Sequence, residues 1–144
     1  MSTYTEQFTE VHELLANLVV NASAAEQNTG YVEVGRFHRV FVQVIPVLLG
    51  DDLEIDFEQA TDTLGTGVKT LDAGSKDTTI LSTETGPTAF EIHTEEFDVG
   101  GGFDAVNVEV VAAAQGASSY VVQVWGCIPR NAPVATTLLE AVIP

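Results

Sequence analysis

The chain has 144 residues, five Lys and Arg against 21 Asp and Glu, and a formal net charge of -16. That length suits one domain with a core of its own. The charge excludes a nucleic-acid-binding role, since affinity for phosphate comes from Lys and Arg, and it opposes adsorption to an anionic membrane.

Hydrophobic residues make up 45% of the chain, so it has the material to fold rather than stay disordered. The single cysteine, Cys127, cannot form an internal disulfide, which fits a reducing compartment. Met1 to Asn21 lacks a basic region followed by an apolar stretch and is not expected to be a secretory signal. No apolar run approaches the roughly 18 residues that a membrane-spanning helix needs.

The first segment predicts a helix. Tyr4, Phe8, Val11, Leu15 and Leu18 recur at spacings of four and three and share one stripe at a period of 3.6, with Glu6, Gln7, Glu10 and Glu13 opposite. Thr3 and Glu6 have capping-box spacing. Ala22 to Gly30 reads as a linker, so residues 1–30 form a helix-and-linker unit ahead of the main domain.

From Tyr31 the period changes to two. Tyr31 to Val34 predicts a short strand. Arg39 to Leu49 predicts a long one, with Val40, Val42 and Val44 on one face and Phe41 and Ile45 on the other. Apolar side chains on both faces imply cover on both sides, inside the domain or at a subunit contact. Leu53, Ile55 and Phe57 alternate with Glu54, Asp56 and Glu58 as in a half-buried strand. Further strands are predicted at Val68–Leu71, Thr79–Leu81, Thr88–Thr94 (Phe90 and Ile92 inward), Ala105–Ala113 and Ser119–Ile128. About seven or eight short strands punctuated by turns predict a sandwich or barrel over residues 31–130. Residues 131–144 follow as a tail with Val134, Leu138, Leu139, Val142 and Ile143, which should pack on the sandwich or on a neighbouring copy.

No set of residues builds a reaction centre. Cys127 follows Trp125 in a strand pattern and reads as a buried, inert thiol. Ser118 and Ser119 read as turn residues outside any nucleophile elbow. His12, His38 and His93 are too far apart for zinc-ligand spacing. Asp51, Asp52, Glu54, Asp56 and Glu58, and again Glu95, Glu96 and Asp98, supply carboxylates without the pattern of a calcium loop. Gly65 and Gly67, and Gly100 to Gly102, lack the partners of a nucleotide loop. Trp125 with Tyr120 could stack a sugar, or simply pack. The chain is therefore expected to be no enzyme and to carry no cofactor or metal.

Five segments carry a family resemblance: Asn28–Val32, Phe37–Val40, Leu53–Lys69, Glu95–Phe103 and Val124–Arg130, with Gln59 to Gly67 the most specific. Together they resemble the decoration, or cement, proteins of tailed-bacteriophage heads over roughly residues 28–133. The resemblance implies an all-β, jelly-roll-like antiparallel sandwich. It also implies a homotrimer on the outer surface of the virion capsid, assembled in the bacterial cytoplasm and clamping neighbouring major capsid subunits. The N-terminal helix and C-terminal tail lie outside it. Their apolar residues, Tyr4, Phe8, Val11, Leu15, Leu18, Leu138, Leu139, Val142 and Ile143, are the expected contact material. A carbohydrate-binding jelly-roll module and a phage tail or adaptor protein are the alternatives.

Overall fold

The computed structural model describes residues 12–114 and 116–129. Its ten strands are β1 (His12–Ser23), β2 (Gln27–Asn28), β3 (Val32–Glu33), β4 (Phe37–Leu48), β5 (Leu53–Ala60), β6 (Lys69–Thr70), β7 (Thr78–Ile80), β8 (Thr88–His93), β9 (Ala105–Ala112) and β10 (Ser118–Pro129). Short 3-10 turns lie at Leu71–Gly74, Thr94–Glu96 and Val99–Gly101. There is no α-helix among the described residues.

The strands form two antiparallel sheets. The first runs β1-β10-β4-β8; the second runs β2-β9-β5-β6, with β3 also on β9 and β7 also on β5. If β2/β3 and β6/β7 each count as one broken edge strand, the eight strands stand in the order 1-8-3-6 and 2-7-4-5. That order is the two interlocked Greek keys of a jelly roll.

Alternation explains which face is buried. In β4, Val40, Val42 and Val44 are buried while Arg39, Phe41, Gln43 and Ile45 are partly exposed. In β5, Leu53, Ile55 and Phe57 are buried, and Glu54, Asp56 and Glu58 point away, as their spacing predicts. Val106, Val108 and Val110 of β9 and Tyr120, Val122 and Val124 of β10 complete the layer between the sheets. Phe57 and Phe90 meet edge-to-face across it, with ring centroids 5.1 Å apart. Burying such a Val, Ile or Phe side chain stabilises the fold by roughly 1.5–3 kcal/mol each before the entropy of ordering is subtracted.

The helix expected over residues 1–21 does not form in its described part: His12–Ser23 is a strand hydrogen-bonded to β10. The register shifts between Leu14 and Ala16. This bulge lets Leu15 join Ala16, Leu18 and Val20 against the core. A spacing of three between Leu15 and Leu18 therefore comes from a bulged strand, not from a helical turn. The sandwich accordingly takes in β1, so residues 12–30 are not a separate helix and linker. Tyr4, Phe8 and Val11, and the whole tail 131–144, lie outside the described residues.

The sheet edges are uneven. The second sheet is bordered by fragments of two or three residues, β2, β3, β6 and β7. The first is bordered by the six-residue β8 and the twelve-residue β1. Within β1 the register shifts twice, at Leu14/Ala16 and Val20/Ser23, and Ala22 takes a φ of 47° at the second shift.

Candidate functional site

The outward side of the first sheet can be read as a grid from the residue pairings across β1, β10, β4 and β8, with the β1 bulge falling between Leu14 and Ala16. One row is His12, Cys127, Arg39 and His93. The next is Leu14, Trp125, Phe41 and Glu91. Asn17, Gln123, Gln43 and Ala89 follow, and then Val19, Val121 and Ile45. Two apolar rows thus flank a row of amides. Leu14 is 44% exposed and Val19 67% exposed, so the sandwich itself does not cover this face.

The polar groups here are mostly paired along the face. Gln123 Nε2 donates to Asn17 Oδ1 at 3.3 Å, and Trp125 Nε1 donates to Gln123 Oε1 at 3.4 Å. Arg39 Nη1 donates to Glu91 Oε1 at 3.2 Å, and His93 Nε2 lies 3.3 Å from the same oxygen. Glu91 is the one carboxylate in the grid, and it sits beside a guanidinium and an imidazole. A depression of about 330 Å³ opens between the strands, with Arg39, Phe41, Gln43, Glu91 and Trp125 among its walls.

The second sheet presents the opposite chemistry. Its outward side carries Glu54, Asp56 and Glu58 of β5 and Glu109 of β9, and Asp56 stands directly across from Glu109. Like charges in that position repel. Burial, then the charges of Asp77, Glu54 and Glu58, raises the Asp56 carboxyl above its ordinary range. Burial, then Glu26, Glu58 and Asp56, raises Glu109. Glu58 accepts from the Tyr31 hydroxyl at 2.6 Å and from Asn107 Nδ2 at 3.1 Å. Burial and the adjacent Glu58 hold that phenol protonated well past its ordinary range. The buried Asn107 also accepts from the Gly30 amide at 3.1 Å and donates to Asn28 Oδ1 at 2.8 Å, which fastens the broken edge to β9.

The remaining chemical candidates have structural work. Cys127 is buried. Ser118 and Ser119 open β10 rather than lie in a turn; Ser118 Oγ accepts from the Gly50 amide at 3.0 Å, and Ser119 Oγ accepts from the Ala22 amide at 2.9 Å. Asp51 accepts amides from Asp52, Ala114 and Gly116, which lower its carboxyl. Glu96 takes the His93 amide at 2.6 Å and Lys76 Nζ at 2.9 Å. Asp98 takes Lys69 Nζ at 2.5 Å and the Gly101 amide at 3.0 Å. Among the described residues no group of His, Cys, Asp and Glu is disposed to hold a metal ion.

The pair Trp125 and Tyr120 does not come together. An odd separation along one strand sends them to opposite faces: Trp125 joins the outward grid, and Tyr120 is buried in the core at 2% exposure. Leu15 and Leu18, expected as contact residues, pack inward. The amide row was not foreseen, although Gln43 and Gln123, set in otherwise apolar runs, marked it in the sequence.

The sequence matches no protein-family model and no curated protein. Among solved structures it is similar to the SPBc2 prophage-derived protein YomS, at 15% identity over 81% of this chain and 95% of that one, with a TM-score of 0.49. It is also similar to the Tobacco streak virus coat protein, at 7% identity over 85% and 89%, TM-score 0.41. A family 11 carbohydrate-binding module from Clostridium thermocellum gives 10% identity over 83% and 82%, TM-score 0.39.

Proposed function

We propose that this chain is a non-enzymatic structural protein of a virion, of the tailed-bacteriophage decoration type. It binds the outside of the capsid and ties neighbouring major capsid subunits together. The observation that carries the reading is apolar surface that the sandwich does not cover, with Leu14 and Val19 exposed on the first sheet. Two further segments, residues 1–11 and 130–144, flank the described strands in sequence. Those two segments hold Tyr4, Phe8 and Val11, and Leu138, Leu139, Val142 and Ile143. Two apolar segments on one chain can engage two neighbouring shell subunits at once, and the second contact gains from the effective concentration that the first creates. Each bound copy favours the assembled shell by its binding free energy, about 2.7 kcal/mol at one hundred times Kd. The acidic side of the second sheet stays in water and discourages adhesion elsewhere.

The test is co-sedimentation of the purified chain with phage heads that lack a decoration protein. The intact chain is expected in the pellet, and a chain shortened after Pro129 in the supernatant. An intact chain that leaves heads unbound refutes the reading.

A second reading has one observation in its favour. Trp125 and Phe41 line a depression together with Gln43, Glu91 and Arg39, a mix of ring faces and hydrogen-bonding groups that suits a sugar. Glycan-array binding that disappears in Trp125→Ala, with the fold intact, would favour it over capsid binding.

A further inference from the structure

We infer that the outward face of the first sheet is a self-contact, and that its occupant is a second copy of this chain related by a two-fold axis along the amide row. The inference rests on the reading of the chain as a structural protein, and it assigns to that protein a surface through which copies meet.

Charge selects the partner. A molecule of net charge -16 repels its copies at most approaches. The outer side of the second sheet would bring Glu54, Asp56, Glu58 and Glu109 against their equivalents. The grid on the first sheet holds a single carboxylate, Glu91, already beside Arg39 and His93. It is the side on which two such acidic bodies can meet without opposing charges.

Pattern selects the symmetry. An axis lying along Asn17, Gln123 and Gln43 keeps each strand facing its own copy and exchanges the rows on either side. The amide row then meets itself. This is chemically self-complementary, since each carboxamide both donates and accepts. The bulky row of Leu14, Trp125 and Phe41 meets the smaller row of Val19, Val121 and Ile45, so large side chains oppose small ones. Ile45 of the second copy comes over Phe41, at the depression beside Arg39 and Glu91. A two-fold pair, not the trimer that the family resemblance implies, fits this arrangement.

Area sets the strength. With strands about 4.8 Å apart and outward side chains about 6.8 Å apart along a strand, four strands by the three rows that the axis matches cover about 400 Å² per copy. The total of about 800 Å² is below the usual range of specific interfaces and marks a weak one. The pair should therefore be concentration-dependent. It should also tighten as salt rises, because salt screens the net repulsion and leaves the apolar contact intact.

Sedimentation of the full chain over a concentration series measures this directly. The wild type is expected to pair, and Trp125→Gln and Val121→Glu are each expected to raise the dissociation constant at least about 30-fold, as loss of a central anchor does. Leu81→Glu, exposed and far from the grid, is expected to change nothing. Retained melting behaviour separates lost contact from lost fold. Should a variant not fold, Gln123→Cys treated with a short bismaleimide is expected to cross-link copy to copy, and Leu81→Cys is not. A monomeric wild type, an association indifferent to the grid substitutions, or a Gln123→Cys chain that does not cross-link each overturns the contact. Head co-sedimentation is scored separately: its failure refutes capsid binding alone, and a monomer in free solution refutes this contact alone.

Discussion

The cross-strand pair Asp56 and Glu109 gives the most discriminating test of the electrostatic description. The two carboxylates stand opposite each other on the outer side of the second sheet, with Glu58 and Glu26 adding to the repulsion. Glu109→Gln keeps the shape and removes one charge. Opposed like charges on adjacent strands cost roughly 0.2–1 kcal/mol, so the variant should be more stable than wild type by about that much at pH 7. For a domain of this size the gain is a melting temperature higher by roughly 1–5 °C. The pH dependence fixes the sign. Both carboxyls have folded-state values above their unfolded ones. Each therefore favours the fold while protonated, and that contribution is lost as pH rises through the folded value. Hence the advantage of Glu109→Gln should be full above this window and vanish below the ordinary carboxylate range. Urea unfolding at several pH values, with a constant m-value, measures it. A variant no more stable than wild type at pH 7, or one whose advantage grows on acidification, refutes the reasoning.

Other outcomes follow from the same structure. A Cβ at Gly126 would collide with the Phe37 ring, so Gly126→Ala should cost about 1–3 kcal/mol through overpacking, although alanine is otherwise the better strand residue; denaturant unfolding reads this. Asn107→Leu leaves the Gly30 amide without its acceptor and should cost about 1–3 kcal/mol, with faster hydrogen exchange at Thr29 and Gly30 as its local mark. Asp51 is held low by backbone amides from Asp52, Ala114 and Gly116, so its contribution is present above the ordinary aspartate value and is lost as pH falls; Asp51→Asn should flatten the acid limb of the stability profile. Replacing Leu138 and Ile143 with Asp should abolish head co-sedimentation, with the melting temperature measured alongside to show that the sandwich still folds.

Much of the sandwich could be read from side-chain alternation. Leu53 to Glu58 alternates because one face of β5 meets the core and the other meets water, and the pattern survives because β5 has no bulge against β9. The two-sided apolar character of Arg39 to Leu49 is also explained: Val40, Val42 and Val44 face the second sheet, and Phe41 and Ile45 face the grid. The N-terminal segment was misread for a physical reason. Leucine and alanine favour helices, but intrinsic propensity is a fraction of a kcal/mol per residue and yields to pairing along β10. The bulge at Leu14/Ala16 then imitates a helical spacing. The grid itself was not legible, since it depends on the partners of β1, β10, β4 and β8, and those strands are distant in sequence. Only parity was available. It already sent Tyr120 and Trp125 to opposite sides, five positions apart on one strand.

The broken borders of the two sheets bear on behaviour when many copies are crowded together. An unpaired strand is a template for another chain, and a run of clean, flat backbone can propagate into ribbons. Here the second sheet offers only pieces of two or three residues, β8 is six residues long, and β1, long as it is, keeps one unshifted register only from Ala16 to Val20. Growth by strand addition is thereby interrupted after a few rungs. A contact between copies of the kind inferred above would then rest on side chains, which can be made and undone one molecule at a time.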